Sequence, residues 1–227
     1  MIAFRSLFCA KFGQCSDKNI HGIEMFASTF RHLRHFAPSI LNECPSLRFV
    51  KFFADDDDLF TEFPADDSAM ASDGQAMPKW LCTPYQNNVP KVLRFLLSRD
   101  DWNLTSRIQA FRAAFANASS PVNFIVVIWF HWSFVNPILV PPFDPLTNEL
   151  TGEQLAFKRT NNHYRRFLLI RCPIERDESK WAKWEKEAIG WHICDPLNRI
   201  HIDIYGEDQI GDGLLDETPG PSDQQQK

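Results

Sequence analysis

The run "FIVVIWFHWSFVNPILV", residues 124–140, is the stretch that most restricts what this chain can become. Its 17 residues are interrupted only by His131, Ser133, Asn136 and Pro137. Such a run must be buried on all sides. A membrane-crossing helix needs about 20 consecutive apolar residues, and Asn136-Pro137 breaks the pattern where that helix would have to continue. Two buried strands joined at Asn136-Pro137 satisfy the same residues, so a membrane is not an expected partner.

Buried strands need a covering layer, and the sequence supplies apolar material for one. Apolar residues make up 44% of the 227, with 20 Phe and 7 Trp, which places the chain among packed globular proteins. At this size roughly 70% of the surface of the unfolded chain is lost on folding. The amino-terminal half reads as helical. "GIEMFASTFRHLRHFA" puts Met25, Phe26, Phe30, Leu33 and Phe36 on one helical stripe. "VPKVLRFLLSRDDW" and "NLTSRIQAFRAAFANA" read as two more helices, the second capped by Asn103 or Thr105 and closed by Asn117. "SLRFVKFF" alternates briefly, as a strand does.

Strands dominate the second half. Asn123 to Val135, Ile138 to Val140 and Tyr164 to Cys172 read as extended, and "WHICDPLNRIHIDIY" as two short strands around the turn at Asp195 to Asn198. "DESKWAKWEKEAIG" reads as a helix with Asp177 or Ser179 at its start and Gly190 at its end. Its Trp181 and Trp184 are expected on a sheet, its lysines on Glu185 and Glu187. The fold class implied is α+β, with a helical amino-terminal half and a mixed sheet with packing helices after it. A single domain over residues 1–205 is expected, with an acidic loop at 54–77 and a disordered acidic tail at 206–227.

Charge is segregated along the chain. The tail holds six acids and one base, and Asp55 to Asp73 holds eight acids and no base. The remaining body carries 15 acids against 23 bases, although the whole chain stands at -5. Acidic arms on a basic body fit solubilising loops, self-shielding, or a partner that displaces them. Six cysteines are too few for a disulfide scaffold at this length, and the amino terminus lacks the pattern of a signal peptide. An intracellular protein, cytoplasmic or nuclear, is expected.

No metal site is expected. Cys9, Cys15, His32 and His35 are spaced C-x5-C-x16-H-x2-H, outside the intervals of a zinc finger. No phosphate-binding loop or dinucleotide fingerprint occurs, so no cofactor is expected either.

Cysteine catalysis needs a histidine to deprotonate the thiol and a carboxylate to orient that histidine. Three stretches bear on this: "ILVPPF" at 138–143, "NNHYRRFLLI" at 161–170 and "WHICDPLNRI" at 191–200. Together they resemble the protease family that processes SUMO and other ubiquitin-like proteins, with its adenovirus-type relatives. The resemblance implies His163 as the base, followed by Tyr164 where that family usually has Trp, and Asp195 as the orienting carboxylate. The family's nucleophile follows in an Asp-Cys-Gly segment. Here 32 residues follow Asp195 and none is cysteine. Read from the residues themselves, His163 is a strand-entry side chain bonded to a carbonyl and Asp195 a turn-former.

Three functions stay open from the sequence. The first is a non-catalytic accessory protein, viral or otherwise lineage-restricted, that binds a protein partner. The second is a truncated or diverged relative of the ubiquitin-like-protein proteases, binding such a modifier. The third is a basic-faced nucleic-acid binder, whose surplus of Lys and Arg would contact phosphates.

Overall fold

The computed structural model describes residues 20–53, 62–97, 104–130, 143–160, 166–190 and 199–202. Along the chain these form β1 (Gly22–Phe26), α1 (Ala27–Phe36), β2 (Phe49–Phe53), α2 (Asp73–Leu81), β3 (Lys91–Leu97) and α3 (Leu104–Ala116). Then come β4 (Phe124–Phe130), β5 (Phe143–Asn148), β6 (Glu153–Arg159), β7 (Arg166–Pro173), α4 (Glu178–Gly190) and β8 (Arg199–Ile202).

All eight strands belong to one mixed sheet, in the order β5-β6-β7-β4-β3-β2-β1-β8. β8, β1, β2, β3 and β4 run parallel. β7 runs antiparallel to β4, β6 to β7 and β5 to β6. The architecture is α+β, but the amino-terminal half is not helical. It alternates strand and helix: α1, α2 and α3 are the connections from β1 to β2, β3 and β4.

One of the expected helices contains a strand instead, and another begins as a strand, for one physical reason. A parallel strand buried on both faces loses its alternation and reads as an apolar run. In β3, Val92 and Leu93 are both buried although they point to opposite faces. In β1, Ile23, Glu24 and Met25 are buried in succession. The helical stripe on "GIEMFASTFRHLRHFA" is real only from Ala27 onward, where Phe30 and Leu33 enter the core.

Helices α1, α2 and α3 cover one face. Phe30 and Leu33, Met77 and Trp80, and Phe111 and Phe115 share a single core with Met25, Phe52, Phe95 and Val126. Burying each side chain of this size contributes about 1.5–3 kcal/mol. The other face carries α4. Its Trp181 and Ala188 pack on Phe49, Val92, Ile125, Ile170 and Cys172, with Trp184 and Ile189 beside them. The tryptophan face of α4 thus lies on the sheet as expected. Glu185 and Glu187 bond outward, to Lys158 at 2.7 Å and to Arg48 at 3.0 Å, rather than to the lysines of the helix.

The acidic loop expected at 54–77 ends early. Asp73 opens α2, because Ser72 and Gln75 form a capping box: the Ser72 hydroxyl accepts the Gln75 N–H at 3.2 Å, and Gln75 Oε1 accepts the Ser72 N–H at 3.0 Å. The β5–β6 hairpin was not anticipated. Its turn is built by Asn148, whose Oδ1 accepts the N–H groups of Leu150 and Thr151 at 3.0 and 3.3 Å. The same side chain donates to the carbonyls of Phe115 and Ala118, so one asparagine shapes the turn and holds the end of α3.

Gly152 closes that turn at φ +67°, a left-handed conformation. A Cβ built there meets nothing within 4 Å, so backbone conformation is the sole source of strain. Gly152→Ala is expected to cost about 1 kcal/mol. A shift of the urea midpoint at unchanged slope measures it.

Candidate functional site

Parallel strands bring their carboxyl ends to one margin of the sheet, which is where ligands of open α/β sheets bind. Here that margin belongs to β1, β2, β3 and β4. On the face that carries α4, the strand registers set out three rows of side chains. The row nearest the amino ends runs Gly22, Phe49, Val92, Ile125, Ile170 and Ala156, and most of it lies under α4. The middle row runs Glu24, Lys51, Arg94, Val127, Leu168 and Lys158. The row at the carboxyl ends runs Phe26, Phe53, Leu96, Trp129 and Arg166.

Charges are out of place in the middle of a parallel sheet, where Val, Ile and Leu are the rule. Yet Glu24 is 6% exposed, Arg94 3% and Arg166 8%. Lys51 Nζ lies 3.3 Å from Glu24 Oε2 and 4.2 Å from the centre of the Phe53 ring. The guanidinium carbons of Arg166 and Arg94 lie 4.5 and 5.9 Å from the centre of the Trp129 ring. Two polar atoms of this region, Glu24 Oε1 and Arg166 Nε, are buried without a hydrogen-bond partner. Burial pulls the Arg166 guanidinium below its ordinary pKa, because the charged form loses hydration.

A second charged group sits at the opposite end, on the other face. Arg171 Nη2 and Nε donate to Glu153 Oε2 at 2.6 and 3.1 Å, and Glu153 Oε1 accepts the Val122 N–H at 2.7 Å. Nearby, the Lys91 ammonium donates to the Trp80 carbonyl at 2.6 Å, and burial lowers its pKa to about 8. These groups satisfy one another and hold strand ends in place.

The described cysteines are poor nucleophiles. Desolvation pushes the Cys82 thiol up to about 11 and raises the Cys172 thiol, while Cys44 is buried. A thiol so raised stays protonated at neutral pH, and the thiolate is the reactive form. His163 and Asp195, the pair implied by the protease resemblance, lie outside the described residues. The strands that follow them do not: β7 starts at Arg166 and β8 at Arg199, with β4, β3, β2 and β1 between them in the sheet.

Cys9 and Cys15 also lie outside the described residues, and one ring nitrogen of His32 is engaged by the Ser28 carbonyl at 2.9 Å. Among the described residues no three His, Cys, Asp or Glu side chains stand close enough to hold a metal ion. Among them too, no helix is long and apolar enough to cross a membrane.

Sequence reasoning missed Glu24, Lys51, Arg94, Trp129 and Arg166. A signal was present. "GIEMF", "FVKFF" and "VLRFLL" each place one charge amid apolar neighbours, and only the parallel registers turn three separate oddities into one row. Compared with protein-family models, curated proteins and solved structures, the chain matches none of them.

Proposed function

We propose that this is a non-catalytic accessory protein that works by binding an acidic protein partner, with the carboxyl ends of β1 to β4 as the contact region. One observation carries the reading. In its middle and carboxyl-end rows, the described side chains of that face include four cations, Lys51, Arg94, Lys158 and Arg166, against one carboxylate, Glu24, with Lys158 engaged by Glu185 of α4. Each buried ion costs several kcal/mol in lost hydration, a cost that contact with an oppositely charged partner would offset. Arginine and aromatic side chains are also those that anchor protein interfaces, and Phe26, Phe53 and Trp129 border the cations.

Fluorescence anisotropy with a labelled glutamate-rich peptide tests this, set against single-stranded DNA of equal charge. The peptide is expected to bind, more weakly as salt is raised, and the DNA less tightly than the peptide. DNA binding as tight as the peptide's would replace the reading with a nucleic-acid binder. Cleavage of a SUMO-type precursor would replace it with a protease relative, and binding of neither probe would end it.

A further inference from the structure

The two guanidiniums at Trp129 have more to say about what enters this region. Arg166 begins β7 and is buried, with its guanidinium carbon 4.5 Å from the indole centre. Among the described residues no carboxylate lies within ion-pair distance of it. The carboxylates nearest this face are already held: Glu24 by Lys51, Glu185 by Lys158 and Glu187 by Arg48. Glu24 stands four strands away from β7, about 19 Å at the usual strand spacing.

A guanidinium cannot relieve this situation by losing its proton at any physiological pH. The face of an indole returns only part of the lost hydration, and Arg166 Nε has no acceptor at all. Arg94, from β3, reaches toward the same indole from the other side of β4. Two guanidiniums therefore lie near one ring.

We propose that Arg166, with Arg94 beside it, receives an oxyanion, a phosphate or a carboxylate group, at the carboxyl end of β4. The proposal rests on the contact region named above and specifies the chemistry it accepts. The planar fork of Arg donors matches both groups with two parallel hydrogen bonds. Because Arg166 and Arg94 are both buried, what enters is the size of a single oxyanion and not a whole helix or strand. That oxyanion is either free in solution or carried on a side chain of the partner.

Titration calorimetry and thermal unfolding of the full chain distinguish these sources, using inorganic phosphate, acetate and the glutamate-rich peptide. Chloride at matched ionic strength is the control. At least one probe is expected to bind saturably and raise Tm. Arg166→Gln should then weaken it at least tenfold, while Lys180→Gln, on the exposed side of α4, leaves it unchanged. Arg166→Lys keeps the charge without the fork and is expected to lose most of the affinity. That variant carries the test if the Gln variant does not fold. Loss confined to the peptide assigns the oxyanion to the partner; loss of phosphate or acetate assigns it to a free ligand. Equal peptide binding by wild type and folded Arg166→Gln, with no effect of phosphate or acetate beyond chloride, overturns this proposal and leaves the contact region standing. Absence of peptide binding to wild type, with phosphate or acetate bound through Arg166, removes the acidic protein partner and leaves the oxyanion site.

Discussion

Glu153→Gln is expected to destabilise the fold by about 3–5 kcal/mol, the usual effect of removing one partner of a buried ion pair. The side chains of Glu153 and Arg171 are 1% and 5% exposed. Glu153 stands at the start of β6, Arg171 in β7, and Val122 just ahead of β4, so one carboxylate ties three strand ends together. Glutamine can keep an acceptor for the Val122 N–H, but it replaces the oxygen that accepts both Arg171 bonds with an amide donor as well as removing the charge. Arg171 would then be left buried with the Ser120 carbonyl, at 2.8 Å, and the face of Phe115 as its remaining partners. Adding Arg171→Met to that variant should recover part of the loss, because it removes the uncompensated buried cation. Urea denaturation of the single and double variants measures both steps. A single-variant loss under about 1 kcal/mol would show the pair to be far better hydrated than its burial implies.

Lys91→Met is expected to act in the opposite direction. The ordinary lysine value is 10.5, and burial brings Lys91 to about 8 in the folded chain. Between those values the unfolded chain holds more protons than the folded one, so stability rises with pH there. Below pH 8 the fold carries a buried cation at a cost of up to about 3 kcal/mol, since each unit is worth about 1.4. Cys82 works against this at higher pH. Its thiol ordinarily titrates at 9.0 and is held at about 11 when folded, so it removes stability from pH 9 upward. Cys172 and Tyr85 are also raised and add to that decline. Wild-type stability should therefore climb from pH 8 to a maximum near pH 9. In Lys91→Met the climb should vanish and the decline above pH 9 remain. At pH 7 the variant gains the relieved penalty and loses the bond to the Trp80 carbonyl, a net gain of about 1–2 kcal/mol. Thermal or urea unfolding from pH 7 to 10 checks the shape. A climb that persists in the variant would assign it to another group.

Helices α3 and α4 were legible because each carries its own termini. Asn117 donates to the Ala113 carbonyl at the end of α3, and Asp177 accepts the Lys180 N–H at the start of α4. Strands β4 and β7 were legible from their apolar length. β1 and β3 were not, because burial on both faces erases the period of two on which a strand is recognised. β5 was hidden for a different reason. It lies at the margin of the sheet, contains Asp144 and Pro145, and is largely polar, so it resembles a loop until β6 pairs with it. The rows at the carboxyl ends were hidden for a third reason. Glu24, Lys51 and Arg94 are 27 and 43 residues apart along the chain, and nothing local makes them neighbours. Strand order does.

The position of β8 has a consequence of its own. Residues 199–202 lie alongside 22–25, so a segment from late in the chain is zipped onto the first described strand. Without that late arrival, β1 would offer its peptide groups to any passing extended chain, including another copy of the protein. Once β8 has travelled back to the beginning, the open edge passes from the five residues of β1 to the four of β8, a shorter template for such pairing.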